Sequence, residues 1–218
     1  MKRVLLLLAN GFEPMEASCF TDILGWADID GSENIELVSV GLRSPLKATF
    51  GFSVIPDKLL SEIDIETFDA LAIPGGFEEN GFYEDAYCEE FLDVIRHFEM
   101  LGKTIATVCV ASLPLGKAGI INNRRAAIYH SVGGTRKEEL EEFGAIFVDK
   151  PVVKDKNLIT STGPGTGIEV AFELLAELTS EENSKHIRSL MRVPEPSLTW
   201  KYSQQVNTTA SRYPKRVS

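Results

Sequence analysis

The stretch TIATVCVASLPLGKAG, residues 104–119, decides the fold. Its first six residues are short-branched, apolar and β-prone, which predicts a strand covered on both faces. Residues 110–118 then read as a helix that follows almost at once, with Pro114 tolerated in its first turns. The same change of character recurs on either side. Residues 4–9 form a continuous apolar run closed by Asn10-Gly11, and Pro14 opens a helix expected to reach about Asp30. Residues 35–40 and 68–73 are further runs of strand character, the second ended by Pro74-Gly75-Gly76. Phe91, Val94, Ile95, Phe98 and Leu101 lie at helical spacing within residues 84–101, and Gly102 ends that helix. Residues 49–55 alternate weakly, as part of a hairpin would.

Downstream, residues 126–130 read as a fifth strand ending at His130. A charged amphipathic helix follows over 135–143, then short strands at 146–148 and 158–160. The turn Gly163-Pro164-Gly165-Thr166 opens a strong helix over 168–178. Alternation of strand and helix predicts an α/β fold, a mostly parallel sheet with helices on both faces. Residues 180–193 read as one more helix. Beyond it, Pro194, Pro196 and Pro214 among many Ser, Thr and Asn predict an extended tail. The chain thus divides into an α/β domain, 1–180, and a C-terminal helix with an extended basic tail, 181–218.

The charge balance narrows the partners. The 218 residues carry 22 Lys/Arg and 32 Asp/Glu, a net −10, which repels phosphate backbones and argues against nucleic acid. Residues 181–218 hold seven Lys/Arg against three Glu, so a basic tail follows an acidic body. Cys19, Cys88 and Cys109 show neither CxxC nor metal-type spacing, which suits a reducing, cytoplasmic setting. The apolar run after MKR is too short for an export signal and reads as a buried strand. No stretch approaches the roughly 20 apolar residues of a membrane span. HExxH, P-loop and GxGxxG patterns are missing, so metal and nucleotide chemistry lack support.

In parallel sheets, sites form beyond the C-terminal ends of strands. That rule selects residues 11–16, Pro74 to Gly76, and Cys109. Cys109 ends a strand and opens a helix, the geometry of a nucleophile elbow. The helix start there is expected to favour thiolate, the reactive form. Gly75 and Gly76 let backbone approach a ligand, and their N–H groups would line an oxyanion site. Glu16, in the first turn of the first helix, would hydrogen-bond a neighbouring sulfur and stay protonated if buried beside it. His130 is a candidate base. Glu13, His97 and His186 are expected to be solvated, and Cys19 and Cys88 to be core or surface thiols.

Taken together and in order, GFEPMEA (11–17), DALAIPGG (69–76), ATVC (106–109), His130 and PVVKDKNLITSTGPGTGIEVAFELL (151–175) resemble the ThiJ/PfpI superfamily. The resemblance covers about residues 1–180 and is closest to the Parkinsonism-linked protein deglycase branch. It implies a flavodoxin-like, doubly wound sheet and a homodimer. It implies that Cys109 is the reactive cysteine and Glu16 the carboxyl bonded to it. Gly75 or Gly76, with the amide of Val110, would match the oxyanion-type pocket, and His130 a histidine near the cysteine. Val110 stands where the peptidase-like members place a histidine after the cysteine, and Val110-Ala111 replaces the branch's usual pair of tiny residues. The implied activity is cysteine-dependent chemistry on small reactive carbonyls, glyoxalase- or deglycase-like, with no cofactor or metal. The alternatives are a redox-sensing or chaperone-like stress protein, and a thiol hydrolase or hydratase acting on amides or isocyanides.

Overall fold

The computed structural model describes residues 1–197 and 199–203. The opening apolar run becomes β1 (Lys2–Leu8), buried from Val4 onward. Pro14 takes the first turn of α1 (Pro14–Asp30), where its fixed φ fits a helix and its missing N–H leaves no bond unmade. After β2 (Ile35–Gly41), β3 (Leu46–Lys47) and β4 (Ser53–Val54) pair as the small antiparallel hairpin that weak alternation suggested. A two-residue edge strand, β5 (Lys58–Leu59), follows; it is too short to leave a period in the sequence. β6 (Ala70–Ile73) is wholly buried.

The helix expected over residues 84–101 is divided into α2 (Phe82–Ala86) and α3 (Glu89–Met100), with Cys88 extended between them. β7 (Thr104–Thr107) leads into a 3-10 turn, Cys109–Ala111, and then α4 (Ser112–Lys117). The remaining elements are β8 (Arg125–Ala126), α5 (Arg136–Glu142), β9 (Ile146–Phe147), β10 (Val152–Asp155), β11 (Leu158–Ser161), α6 (Gly167–Leu178), α7 (Glu181–Leu190) and β12 (Lys201–Ser203).

The strand expected over 126–130 is reduced to β8, which pairs with β9 outside the main sheet. The reason is local competition for backbone groups. The Ala127 N–H donates to Thr160 Oγ1 at 2.9 Å, and the Ala127 carbonyl accepts from Ser112 Oγ at 2.8 Å. Side chains take the bonds a ladder would need.

Eight strands form the main sheet in the order β12-β10-β11-β7-β6-β1-β2-β5. All its pairs are parallel except β10 with β11. This is a mostly parallel, flavodoxin-like α/β fold. From β1 the chain moves to β2 on one side; from β6 it moves to β7 on the other. Right-handed crossovers in opposite directions place α1 and α3 on opposite faces. They also open a crevice between the C-terminal ends of β1 and β6, the switch point where such folds bind ligands. Phe12, Phe20, Phe68, Phe82, Phe91, Phe98 and Phe172 fill the core.

The C-terminal helix is fastened to this body. The Arg188 guanidinium makes two 2.7 Å bonds to the Glu169 carboxylate and lies 4.0 Å from the centre of the Phe172 ring. Asn183 Oδ1 accepts from the Ser32 N–H at 2.9 Å. The tail, expected to be extended, adds β12 to the sheet beside β10. The rest of it, with Arg212, Pro214, Lys215 and Arg216, lies outside the described residues. No helix among the described residues is long and apolar enough to cross a membrane.

Candidate active site

Cys109 opens the 3-10 turn after β7 and stands at φ +61°. A non-glycine residue in that left-handed region costs on the order of 1 kcal/mol and persists only where the surroundings hold it. Here they do. Val108 N–H donates to the Ile73 carbonyl at 3.2 Å, Ala111 N–H returns to the Val108 carbonyl at 3.1 Å, and Tyr129 N–H donates to the Cys109 carbonyl at 3.4 Å. The elbow expected from sequence is present.

Glu16 lies in the first turn of α1, at the end of β1, with 0% exposure. Its Oε2 accepts from the Gly75 N–H at 2.6 Å. Its Oε1 is buried with no hydrogen-bond partner, and the Cys109 thiol and the Glu16 carboxyl lie close enough to shift each other's proton affinity. Gly75 makes this contact possible. A Cβ there would stand 2.9 Å from the Val108 carbonyl oxygen, and 3.0 Å from both Cys109 Cβ and Glu16 Oε2. Three strand ends, of β1, β6 and β7, thus converge on one sulfur.

Burial pushes the Glu16 carboxyl up to about 8, and the Glu13 charge adds to the effect. A helix start favours a carboxylate by only about 0.3–1 kcal/mol, too little to offset desolvation of this size. Glu13 was expected to be solvated; instead it is 9% exposed, lines the cleft, and its own carboxyl is raised by burial. The Cys109 thiol is also driven up, first by burial and then by Glu16, while the Val110 N–H works the other way. The expected preference for thiolate from a helix start is therefore overturned: α4 is only six residues long and begins after a 3-10 turn. The two groups titrate as a pair. When the pair holds one proton, it is carboxylate beside thiol or neutral acid beside thiolate, and only the second is nucleophilic.

This burial makes a prediction about stability. Glu16 would ionise near 4.5 in the unfolded chain and does so near 8 in the fold. Neutral Glu16 therefore supports the fold fully below pH 4.5, and that support is lost as pH rises towards 8, by roughly 5 kcal/mol at most. Glu16→Gln should flatten this dependence in urea unfolding at pH 5, 7 and 8.5. An unchanged slope would show that Glu16 is not the group responsible.

A cleft of about 910 Å³ opens over the sulfur. Cys109, Val110 and Gly76 line it. The Gly75 amide is already committed to Glu16, so the two glycines part company: Gly75 seats the acid, and Gly76 faces the cleft with Val110. His130 is brought elsewhere. Its Nδ1 is 3.1 Å from the Ile128 carbonyl, its Nε2 is 3.5 Å from Asp149 Oδ1, and its ring meets Phe147 edge-on. The neighbours Tyr129 and Ser131 line the cleft, and His130 does not. Cys19 is buried, with its thiol donating to the Met15 carbonyl at 3.2 Å; Cys88 is half-buried. His186 is exposed as expected, while His97 is half-buried beside Glu66.

Several cleft residues were not foreseen: Tyr83, Tyr87, Tyr129, Arg136 and Glu139. Arg136 pairs with Glu78 at 2.7 Å and with Glu139 at 2.9 Å. Among the described residues there is no group of three His, Cys, Asp or Glu side chains placed to hold a metal ion.

A family model for the DJ-1/PfpI family matches residues 2–177. The chain belongs to the DJ-1/PfpI family. It is 31% identical over 187 residues to protein dj-1beta of Drosophila melanogaster, covering 85% of this chain and 94% of that one. The crystal structure of Drosophila melanogaster DJ-1beta superposes with a TM-score of 0.78 at 30% identity, covering 89% of this chain and 99% of that one. A relative from Caenorhabditis elegans, named glutathione-independent glyoxalase DJR-1.2, is 29% identical over 143 residues, 66% of this chain and 73% of that one.

Proposed function

We propose that the chain is a cysteine-dependent enzyme acting on small reactive carbonyls, converting a 1,2-dicarbonyl such as methylglyoxal to a 2-hydroxy acid without a cofactor. The observation that carries this reading is the buried Glu16 carboxyl beside the Cys109 thiol, raised to about 8 so that it can hold or release a proton near neutrality. Cys109 sulfur attacks the aldehyde carbon. The π pair moves to oxygen, which takes the proton from Glu16, giving a hemithioacetal. Glu16, now a carboxylate, removes the proton on that carbon and returns it to the adjacent carbon, while in the intervening enediol the hydroxyl proton passes from the first oxygen to the second, so the first carbon is oxidised to a thioester as the second is reduced to an alcohol. Water then hydrolyses the thioester and frees the thiol. The sum is dicarbonyl plus water, with no outside oxidant. The Gly76 N–H is the proposed donor to the developing oxyanion. His130 stands outside the reacting atoms in this scheme.

Cleft electrostatics support a neutral substrate. Glu13, Glu78, Glu79 and Glu139 line the walls, and the one cation among the described residues that line the cleft, Arg136, already serves two of these acids. The name of the Caenorhabditis elegans relative agrees with this chemistry. The test is incubation of purified protein with methylglyoxal in the absence of glutathione, followed by proton NMR. Lactate should form in proportion to enzyme; formation no faster than without protein would overturn the reading.

The same proposal includes a second copy of the chain as partner. Phe50, Phe52 and Ile55 are exposed on and beside the β3–β4 hairpin. Phe50 meets Phe77 edge-on at 5.6 Å, and Phe77 lines the cleft, so this apolar patch runs directly into the wall of the site. A second copy seated there would bury the patch and close that wall. Sedimentation equilibrium should give twice the chain mass, and Phe50→Glu should shift it to the single mass; a monomer throughout would remove the partner from the scheme.

A further inference from the structure

Tyr83 sits on α2, which the chain enters through Gly81 at φ +84°. Its ring is clamped from several directions. Phe82 meets it edge-on at 5.2 Å, Tyr87 packs at 4.8 Å, and the Arg136 guanidinium lies 5.0 Å from the ring centre. That guanidinium is itself fixed by Glu78 and Glu139. The ring lines the same cleft as Cys109. The hydroxyl oxygen is buried, and no side chain or backbone group among the described residues pairs with it.

An unpaired buried hydroxyl costs roughly 1–3 kcal/mol. Packing accounts for the ring, which a phenylalanine would supply as well. It does not account for the oxygen. Burial raises the phenol above its ordinary range, so the group stays a donor at neutral pH. The Glu16 carboxyl and the Gly76 amide attend the oxygen of the attacked carbon, while Tyr83 belongs to a separate segment of the cleft lining.

We propose that the Tyr83 hydroxyl donates a hydrogen bond to the second oxygen of a 1,2-dicarbonyl held on Cys109, and so selects dicarbonyls over simple aldehydes. This rests on the carbonyl reading above and names the substrate feature the site recognises. The bond formed at sulfur is the reversible hemithioacetal in either case; Tyr83 neither gains nor loses a proton.

The experiment measures protection of Cys109 from iodoacetamide by methylglyoxal and by propanal, with Tyr83→Phe compared with the unchanged protein. Tyr83→Phe keeps the clamped ring, and thermal unfolding confirms that it folds. The methylglyoxal concentration giving half protection should rise about tenfold, as expected for one neutral hydrogen bond, while that for propanal moves less than twofold. A merely structural role would shift both aldehydes alike, and equal shifts overturn the assignment. Selective protection in a protein that forms no lactate would uphold Tyr83 as a dicarbonyl contact and sink the turnover scheme instead.

Discussion

Cys109→Ala is expected to lower kcat/KM for methylglyoxal by roughly a thousandfold or more, the scale seen when a covalent nucleophile is removed. Every bond change in the scheme passes through that sulfur, so no partial pathway is left. The fold should survive. Alanine tolerates φ +61° about as well as cysteine does, and the hydrogen bonds that hold the elbow are made by the backbone of Val108, Cys109 and Ala111. Unfolding free energy should therefore fall by no more than about 1 kcal/mol. Cys19→Ala is the matched control. Burial raises that thiol to about 11, and its sulfur is tied to the Met15 carbonyl, so turnover should stay within twofold. Equal activity in the two variants would remove Cys109 from the chemistry.

Gly76→Ala should have the largest effect on stability, a loss of about 3 kcal/mol or more. A Cβ at Gly76 would lie 2.2 Å from the Gly11 carbonyl oxygen and 2.5 Å from Phe82 Cδ2. Neither neighbour can yield cheaply. Gly11 belongs to backbone whose oxygen accepts the Phe77 N–H at 3.0 Å, and Phe82 is fully buried. The substitution would pry apart the Phe12–Gly76 bridge that joins the loops after β1 and β6, and with it the seat of Glu16. Gly25→Ala offers the contrast. That glycine lies inside α1 with open space around it, so alanine should stabilise by about 0.5–1 kcal/mol. Urea unfolding of the three proteins at one pH decides the matter.

These residues also show what a sequence discloses. β1, β6 and β7 were legible because they are buried on both faces, which forces continuous apolar runs. Cys109, Glu16, Gly75 and Gly76 were legible because each follows such a strand and the fold rule assigns sites to those ends. Tyr83 and Arg136 were not. They come from α2 and α5, 53 positions apart, and only packing brings the guanidinium over the ring. Aromatic and acidic residues crowd the segment after Gly76, but sequence alone gives no direction for their side chains. His130 shows the limit most sharply. It was placed one residue away from Tyr129, whose amide holds the Cys109 carbonyl and whose ring lines the cleft. Tyr129 and Ser131 line the cleft while His130 between them meets Phe147, so a displacement of one position exchanges a cleft residue for one outside it. The thiolate expectation failed for a different reason: desolvation depends on how deep the sulfur lies, and depth is a property of the whole fold.

β12 has a consequence for solubility. Without Lys201–Ser203 alongside, the four residues of β10 would offer their open row of N–H and C=O groups to any passing strand, the usual starting point for edge-to-edge aggregation. The start of the tail therefore covers β10 and leaves a strand of three residues as the margin, too short to template much pairing, and a chain shortened before that point should be judged first by whether it stays dispersed.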